Sequence, residues 1–257
     1  MSTRLPRRLR HGESATLVEH LDELRTRMIF GLLALAVGFA VAYVFHEDVI
    51  RWLAEPLPDD RKRLVTFGVT EPFFTAIKVS LAAGFALALP VVLWQVWSFL
   101  APAFQEHSQR IVFVFVCIGS VLFAGGVSFA YFVVLPRALG FLTNFDAELY
   151  DIQIRASYYY SFVAFGIVGI GVLFLLPIFV LGLVRLGVVT TAKLRRNRGI
   201  GYVVVVILAA ALPTVDPVSL LLETIPLLIL YEASIWVAVF FERRWAEKLA
   251  LERATVP

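Results

Sequence analysis

Three ionisable side chains interrupt otherwise apolar stretches of this 257-residue chain: Lys78, Glu223 and Glu232. An ionisable group inside a membrane costs several kcal/mol unless it is paired or hydrated. Glu232, near the middle of its apolar run, therefore predicts either a hydrogen bond to a neighbouring helix or a functional polar site. Glu223 precedes it by nine residues. We expect the Lys78 ammonium to extend toward water, with Glu71 as the alternative partner.

A second set of carboxylates lies in the N-terminal segment. Thr16 and Glu19 have the spacing of a capping box, which predicts the start of a helix. The apolar residues that follow recur at spacings of four, three and four: Leu17, Leu21, Leu24 and Met28. This pattern predicts an amphipathic helix on the membrane surface that runs into the first span. Glu19 and Glu23 belong either to a simple interfacial anchor or to an acidic face for a basic ligand, and composition alone favours the anchor.

Motifs for catalysis are absent from the sequence. It contains no GxxxxGK phosphate loop and no HExxH, and its four histidines lie outside the apolar runs. The one cysteine, Cys117, excludes a disulfide framework and a cysteine-based zinc site. We therefore expect no enzyme activity, no metal and no cofactor, and a binding or transport role remains.

The composition requires a membrane as solvent. Sixty per cent of the residues are hydrophobic and 17% are charged, which excludes an ordinary soluble domain and a nucleic-acid-binding module. Six apolar runs are long or unbroken enough to be helices, at 28–45, 73–104, 111–135, 156–184, 200–212 and 218–241. The predicted fold is an all-α polytopic membrane protein, with a segment at 1–27, a transmembrane domain at 28–241 and a tail at 242–257.

The distribution of Lys and Arg sets the expected orientation. Sixteen of these residues lie in the N-terminal segment, the second and fourth loops and the tail, against six on the opposite side. The positive-inside rule then places both termini in the cytoplasm. The fifth run has 13 residues, about 20 Å of helix against about 30 Å of hydrocarbon, so we expect its short loop with Asp216 to stop below the surface. Kinks are expected at three prolines inside runs: Pro90, Pro177 and Pro226.

Four strings carry a more specific signal: HLDELRTR at 20–27, EPFFTAIK at 71–78, PVVLWQVWSFLAPAF at 90–104 and AYFVVLP at 130–136. In this order they resemble the TatC family, the multispanning core of the twin-arginine protein translocase. The resemblance covers roughly residues 16–243. It implies six helices in a curved, cup-like bundle with cytoplasmic termini and two short final helices.

The same resemblance implies a function in the bacterial or archaeal plasma membrane. Proteins of this family receive folded precursors whose signal peptides carry paired arginines. They work with single-span TatA-type and TatB-type subunits, driven by the proton-motive force. The expected assembly is a homo-oligomeric receptor complex.

Residue by residue, the resemblance also implies a signal-peptide site. Its members are Glu19, Glu23, Leu24, Phe99, Pro102, Glu106 and Arg110. Guanidinium groups favour carboxylates in bidentate geometry, which raises the acidic-face interpretation above the anchor. Glu223, Glu232 and Asp216 are expected as intramembrane polar or partner-helix residues. Structural prolines are expected at Pro56, Pro90, Pro136, Pro177 and Pro226.

Two positions depart from the family pattern. Ser108 stands where the loop usually has a glutamate, so Glu106 replaces it or Glu23 carries more of the recognition. Leu175 stands where the fourth helix often has a polar residue, and Glu223 is the candidate to replace that group. Two other functions stay open from the sequence: a secondary transporter centred on the intramembrane charges, and a scaffold that binds partner helices but no signal peptide.

Overall fold

The computed structural model describes residues 17–58, 61–101, 109–149, 152–213 and 216–255. These residues form helices and connecting turns, without a named β-strand. The helices are α1 Leu17–Val44, α2 His46–Ala54, α3 Glu71–Leu100, α4 Gln109–Phe129, α5 Leu135–Asn144, α6 Ala156–Leu173, α7 Leu176–Arg185, α8 Thr191–Arg196, α9 Arg198–Ala210 and α10 Pro217–Thr255. A π-helical segment, Ala130–Val134, joins α4 to α5.

Five helical stretches of the described chain are long and apolar enough to cross a membrane: His20–Val44, Glu71–Leu100, Arg110–Asn144, Ala156–Arg185 and Pro217–Glu242. The predicted all-α membrane fold is thereby confirmed. Arg198–Ala210, the predicted short fifth helix, is apolar but has only 13 residues.

Several boundaries differ from the sequence interpretation. The third stretch continues past its apolar run to Asn144, because the π segment accommodates Pro136 at the start of α5. The N-terminal helix and the first span form one uninterrupted helix, α1, rather than a surface helix followed by a span. The last helix runs on to Thr255, so the predicted tail is helical up to that residue. The helices α2 and α8 were not predicted.

The prolines act differently from one another. Helix α6 ends at Leu173 and α7 begins at Leu176, one residue before Pro177. The helix is therefore interrupted just before this proline. Pro90 and Pro226 lie inside α3 and α10, which stay continuous through them. Pro56 follows the end of α2.

Helix α2 is held to the bundle by two tyrosines. The Tyr131 hydroxyl donates to the Trp52 carbonyl at 2.8 Å, and the Tyr159 hydroxyl donates to the Leu53 carbonyl at 2.7 Å. The indole of Trp52 also stacks on the Tyr131 ring, with centroids 4.0 Å apart. The Trp52 carbonyl also accepts from the Glu55 backbone N–H at 3.2 Å. The Leu53 carbonyl lies in the last turn of α2, where carbonyls lack intrahelical partners, and Tyr159 supplies its donor.

Helices α1 and α3 make the most extensive helix pair, and two glycines define where they cross. A Cβ at Gly38 would meet the backbone carbonyl of Gly84, and a Cβ at Gly84 would meet the backbone of Phe39. Small residues permit this close approach of helix backbones in membrane proteins. The pair fixes α1, which is otherwise the most exposed of the spanning helices.

The crossing predicts a strong effect of one methyl group. Gly38→Ala should lower the free energy of unfolding by about 1–3 kcal/mol, because the new Cβ collides with backbone. The matched control is Gly31→Ala in the same helix, where a Cβ meets nothing within 4 Å. Chemical denaturation in detergent micelles measures both. Equal stability of the two variants would contradict the close crossing.

Candidate functional site at the α1–α3 junction

The start of α1 meets the end of α3 through a pair of rings. His20 stacks on Phe99, with ring centroids 4.5 Å apart and planes inclined by 23°. The α1 residues that follow within one turn include Glu23 and Leu24, both half-buried. The structure therefore brings three of the expected site residues, Glu23, Leu24 and Phe99, to one end of the bundle. It also adds His20, which the sequence argument had not assigned to the site.

Glu23 already binds a guanidinium group of its own chain. Arg27, one turn further along α1, donates from Nε at 2.9 Å and from Nη2 at 2.5 Å, both to Oε1 of Glu23. Both side chains are about a quarter exposed. The carboxylate is therefore oriented along the helix by an i,i+4 pair and is shielded only partly from water. An external arginine would have to share this carboxylate or displace Arg27.

Only one of the remaining members of the expected site, Arg110, has a described side chain. Pro102, Glu106 and Ser108 lie outside the described residues, as does the side chain of Glu19. Arg110 is exposed in the first turn of α4. The loop carboxylate that would replace the family's glutamate therefore stays a prediction.

Glu232 lies in a polar contact between α9 and α10. It accepts a hydrogen bond from the Tyr202 hydroxyl, and its Oε1 is 3.6 Å from Nε of Arg198. Arg198 and Tyr202 are four residues apart and so share one face of α9. The carboxylate is thus paired within the bundle, as the interpretation of a hydrogen bond to a neighbouring helix requires. In the sequence, the i,i+4 spacing of Arg198 and Tyr202 was the one sign that both could face the same partner on another helix.

The first two turns of α10 carry buried polar groups. Asp216 Oδ1 accepts from the backbone N–H of Ser219 at 2.8 Å, which caps the helix. Asp216 is 3% exposed and Glu223 is 1% exposed. Leu175 lies elsewhere, in an apolar cluster with Leu93 and other residues of α3, α4 and α7. The structure therefore gives Asp216 a capping role at the start of α10.

Charged groups at the opposite end of α3 are paired across loops. Glu71 forms an ion pair with Arg155 and accepts from the Phe67 N–H at 3.0 Å. Lys78 is exposed and lies 3.4 Å from the Ser161 hydroxyl. Glu71 therefore binds the loop before α6, and Lys78 contacts α6 itself.

The comparisons with known proteins agree with this architecture. The family description "TatC: Sec-independent protein translocase protein" matches residues 19–226. The Sec-independent protein translocase protein TatC of Aquifex aeolicus is 38% identical over 236 residues, which are 90% of this chain and 98% of that protein. The chain belongs to the TatC family. The family resemblance seen in the sequence motifs is thereby confirmed.

Other TatC proteins show the same extent of similarity. That of Carboxydothermus hydrogenoformans is 36% identical over 228 residues, covering 88% of this chain and 94% of the relative. A crystal structure of the twin-arginine translocase receptor TatC in DDM is 37% identical, with a TM-score of 0.77. It covers 85% of this chain and 99% of that one. The family match at residues 19–226 includes both sides of the α1–α3 junction.

The α9–α10 contact predicts a measurable loss on removing one hydroxyl. Tyr202→Phe should lower the free energy of unfolding by about 1–3 kcal/mol, because the Glu232 carboxylate loses a donor. Tyr158→Phe is the matched control, since Tyr158 is exposed and its ring would still face Arg155. Denaturation in micelles compares the two, and equal effects would show that the Tyr202–Glu232 bond is not stabilising.

Proposed function

We propose that this TatC-family chain is the core receptor subunit of a twin-arginine translocase. In this proposal it binds the signal peptides of folded precursor proteins at its cytoplasmic face. The observation that carries the proposal is the His20–Phe99 junction, which brings Glu23 and Leu24 beside the end of α3. The printed description of the similar crystal structure, a twin-arginine translocase receptor, supports the same role.

The chemistry of the junction suits paired arginines followed by an apolar stretch. The Arg27–Glu23 pair demonstrates that the Glu23 carboxylate can accept two N–H groups from one guanidinium. Leu24 and Phe99 add apolar surface beside it. An incoming arginine that displaces Arg27 exchanges one guanidinium for another, so Glu23 alone supplies little net affinity. We therefore assign additional binding energy to Glu19 and Glu106, with Pro102 and Arg110 shaping the loop.

The membrane arrangement is part of the proposal. Five long spans plus the short α9 make six membrane helices with both termini in the cytoplasm of a bacterial or archaeal cell. The excess of Lys and Arg on one side supports this orientation. TatA-type and TatB-type subunits would contact the α9–α10 region, where Glu232, Glu223 and Asp216 supply polar groups. A homo-oligomeric receptor complex, energy from the proton-motive force and absence of catalysis complete the assignment.

The test is the affinity of the full chain in nanodiscs for a fluorescent twin-arginine signal peptide. The comparison peptide has both arginines replaced by lysine. Lysine keeps the positive charge but lacks the planar guanidinium that can donate two hydrogen bonds to one carboxylate. In a chain that also carries Arg27→Gln, Glu23→Gln should weaken binding of the arginine peptide about 10- to 100-fold, as expected for a charge-assisted hydrogen bond worth roughly 1.5–3 kcal/mol. With Arg27 present the loss should be smaller, because Glu23 then only exchanges one guanidinium for another. Arg27→Gln alone should strengthen binding of the arginine peptide, because the internal competitor is removed.

Further variants separate the possible sites. If Glu106→Gln abolishes the preference for arginine over lysine, the loop carboxylate is the main acceptor. If only Glu23→Gln does so, α1 is the main site. Equal binding of both peptides, with or without a TatB-type subunit, would overturn the receptor role and leave the scaffold function.

A further inference from the structure

The connection between α7 and α9 carries positive charge only. Residues 185–198 contain five Lys or Arg and no Asp or Glu: Arg185, Lys193, Arg195, Arg196 and Arg198. Three of these residues, Lys193, Arg195 and Arg196, lie on α8 and are exposed. None of the three forms an ion pair with a carboxylate of the described residues. Helix α8 therefore presents three cations without a counter-ion.

Helix α8 is held against the side of the bundle. The Thr191 hydroxyl donates to the Glu242 carboxylate, which joins the start of α8 to α10. Leu194 packs against the apolar cluster shared by α9 and α10. The Arg195 guanidinium lies over the indole of Trp236, 5.8 Å from the ring centre. Because Leu194 faces the bundle, the cations on either side of it stay on the outer surface of α8.

The contact with Trp236 sets the depth of α8 relative to a bilayer. Trp236 is 59% exposed and lies within the apolar stretch Pro217–Glu242, six residues or about 9 Å before its end. Tryptophan is enriched at the boundary between hydrocarbon and headgroups. The apolar helix α9 begins at Arg198, two residues after the end of α8. The cations of α8 therefore lie beside the ends of two apolar helices, at the level of lipid phosphates.

Nearby carboxylates do not neutralise this surface. Glu232 lies 3.6 Å from Arg198, and Glu242 binds Thr191. When both carboxylates are counted against the four cations between 193 and 198, two positive charges remain. The continuation of α10 over residues 243–255 contains four Lys or Arg and two Glu, and so adds two more positive charges. An anionic partner is therefore the complementary one.

We propose that Lys193, Arg195 and Arg196 bind the phosphate groups of anionic phospholipids in the adjacent leaflet. Clustered Lys and Arg beside a membrane helix attract anionic lipids, and arginine binds phosphate with paired N–H donors. Val188, in the turn before α8, is 64% exposed and can enter the apolar part of the same leaflet. A lipid supplies phosphate and hydrocarbon side by side, whereas an acidic protein segment supplies only the charge. The proposal does not depend on signal-peptide binding.

Lipids with a photoreactive headgroup test the proposal. The full chain is reconstituted in phosphatidylcholine nanodiscs with a trace of phosphatidylglycerol or phosphatidylcholine that carries a diazirine near the phosphate. After illumination, labelled residues are mapped by mass spectrometry. The anionic lipid should label residues 191–198 roughly tenfold more than the zwitterionic lipid does, a difference of about 1.4 kcal/mol. Raising the salt concentration to about 1 M should remove this preference, because the Debye length falls to about 3 Å.

The chain offers an internal reference for the labelling. Residues 61–63 are also three consecutive Lys or Arg, but Asp59 and Asp60 directly precede them in the sequence. We expect a smaller preference for the anionic lipid at this triplet, because the two aspartates offset two of its charges. The comparison separates a site on α8 from a general attraction between lipid and exposed cations.

Charge variants sharpen the test. Lys193→Gln combined with Arg196→Gln keeps the Arg195–Trp236 contact and should lower the tenfold preference to about twofold, if the three cations contribute equally. Adding Arg195→Gln should abolish the preference. The matched control, Lys193→Arg with Arg196→Lys, conserves the charge and should keep it.

Four results would overturn the proposal. Equal labelling of α8 by the two lipids would show that its cations do not select a headgroup. A tenfold preference that persists in a correctly folded Lys193→Gln, Arg196→Gln protein would assign the attraction to other groups. An equal preference at residues 61–63 would indicate general attraction to exposed cations. Cross-linking of α8 to an acidic segment of an added TatB-type subunit, without labelling by either lipid, would make a protein the occupant.

Discussion

The cost of leaving a backbone carbonyl unbonded in hydrocarbon governs the architecture of this protein. Uninterrupted helices satisfy the requirement by themselves, and each interruption needs a specific remedy. At the end of α2, Tyr131 and Tyr159 supply hydroxyl donors to two carbonyls. At Pro136 the chain adopts a π segment before restarting a helix, and at Pro177 it turns and starts another. The lengths and breaks of the helices follow from these local solutions.

Charges follow the same rule, since several carboxylates of the described spans lie beside donors from another element. Glu232 faces α9, Glu71 binds Arg155, and Glu242 accepts from Thr191 on α8. Glu23 differs, because its donor is Arg27 on its own helix. Because Arg27 and Glu23 lie on the same helix, replacing Arg27 by another donor breaks no bond between helices. Glu23 can therefore change its partner without loss of a helix–helix contact, whereas Glu232 joins α9 to α10.

The sequence was sufficient for the features that depend on composition along the chain. Apolar runs predicted the membrane fold and the short α9, and motif strings indicated the family. Contacts between helices could not be predicted from the sequence. Tyr202 and Glu232 are 30 residues apart, and their bond depends on how α9 and α10 are aligned in the bundle. Helix α2 escaped prediction because it is short and charged, and α5 because Pro136 suggests an end as readily as a start. The sequence argument named the acidic residues of α1, which stay a predicted site, but it did not name the ring contact between His20 and Phe99.

Helix α10 has a geometric consequence for whatever approaches the C-terminal end of this chain. It contains 39 residues without interruption, about 58 Å of helix, whereas its apolar stretch ends at Glu242. The 13 residues from 243 to 255 therefore continue as a rod of about 20 Å beyond the apolar part. Thr255 is therefore held about 20 Å along the helix axis from the end of the apolar stretch. A group attached next to Thr255 would be carried by a helix that is continuous with the last span.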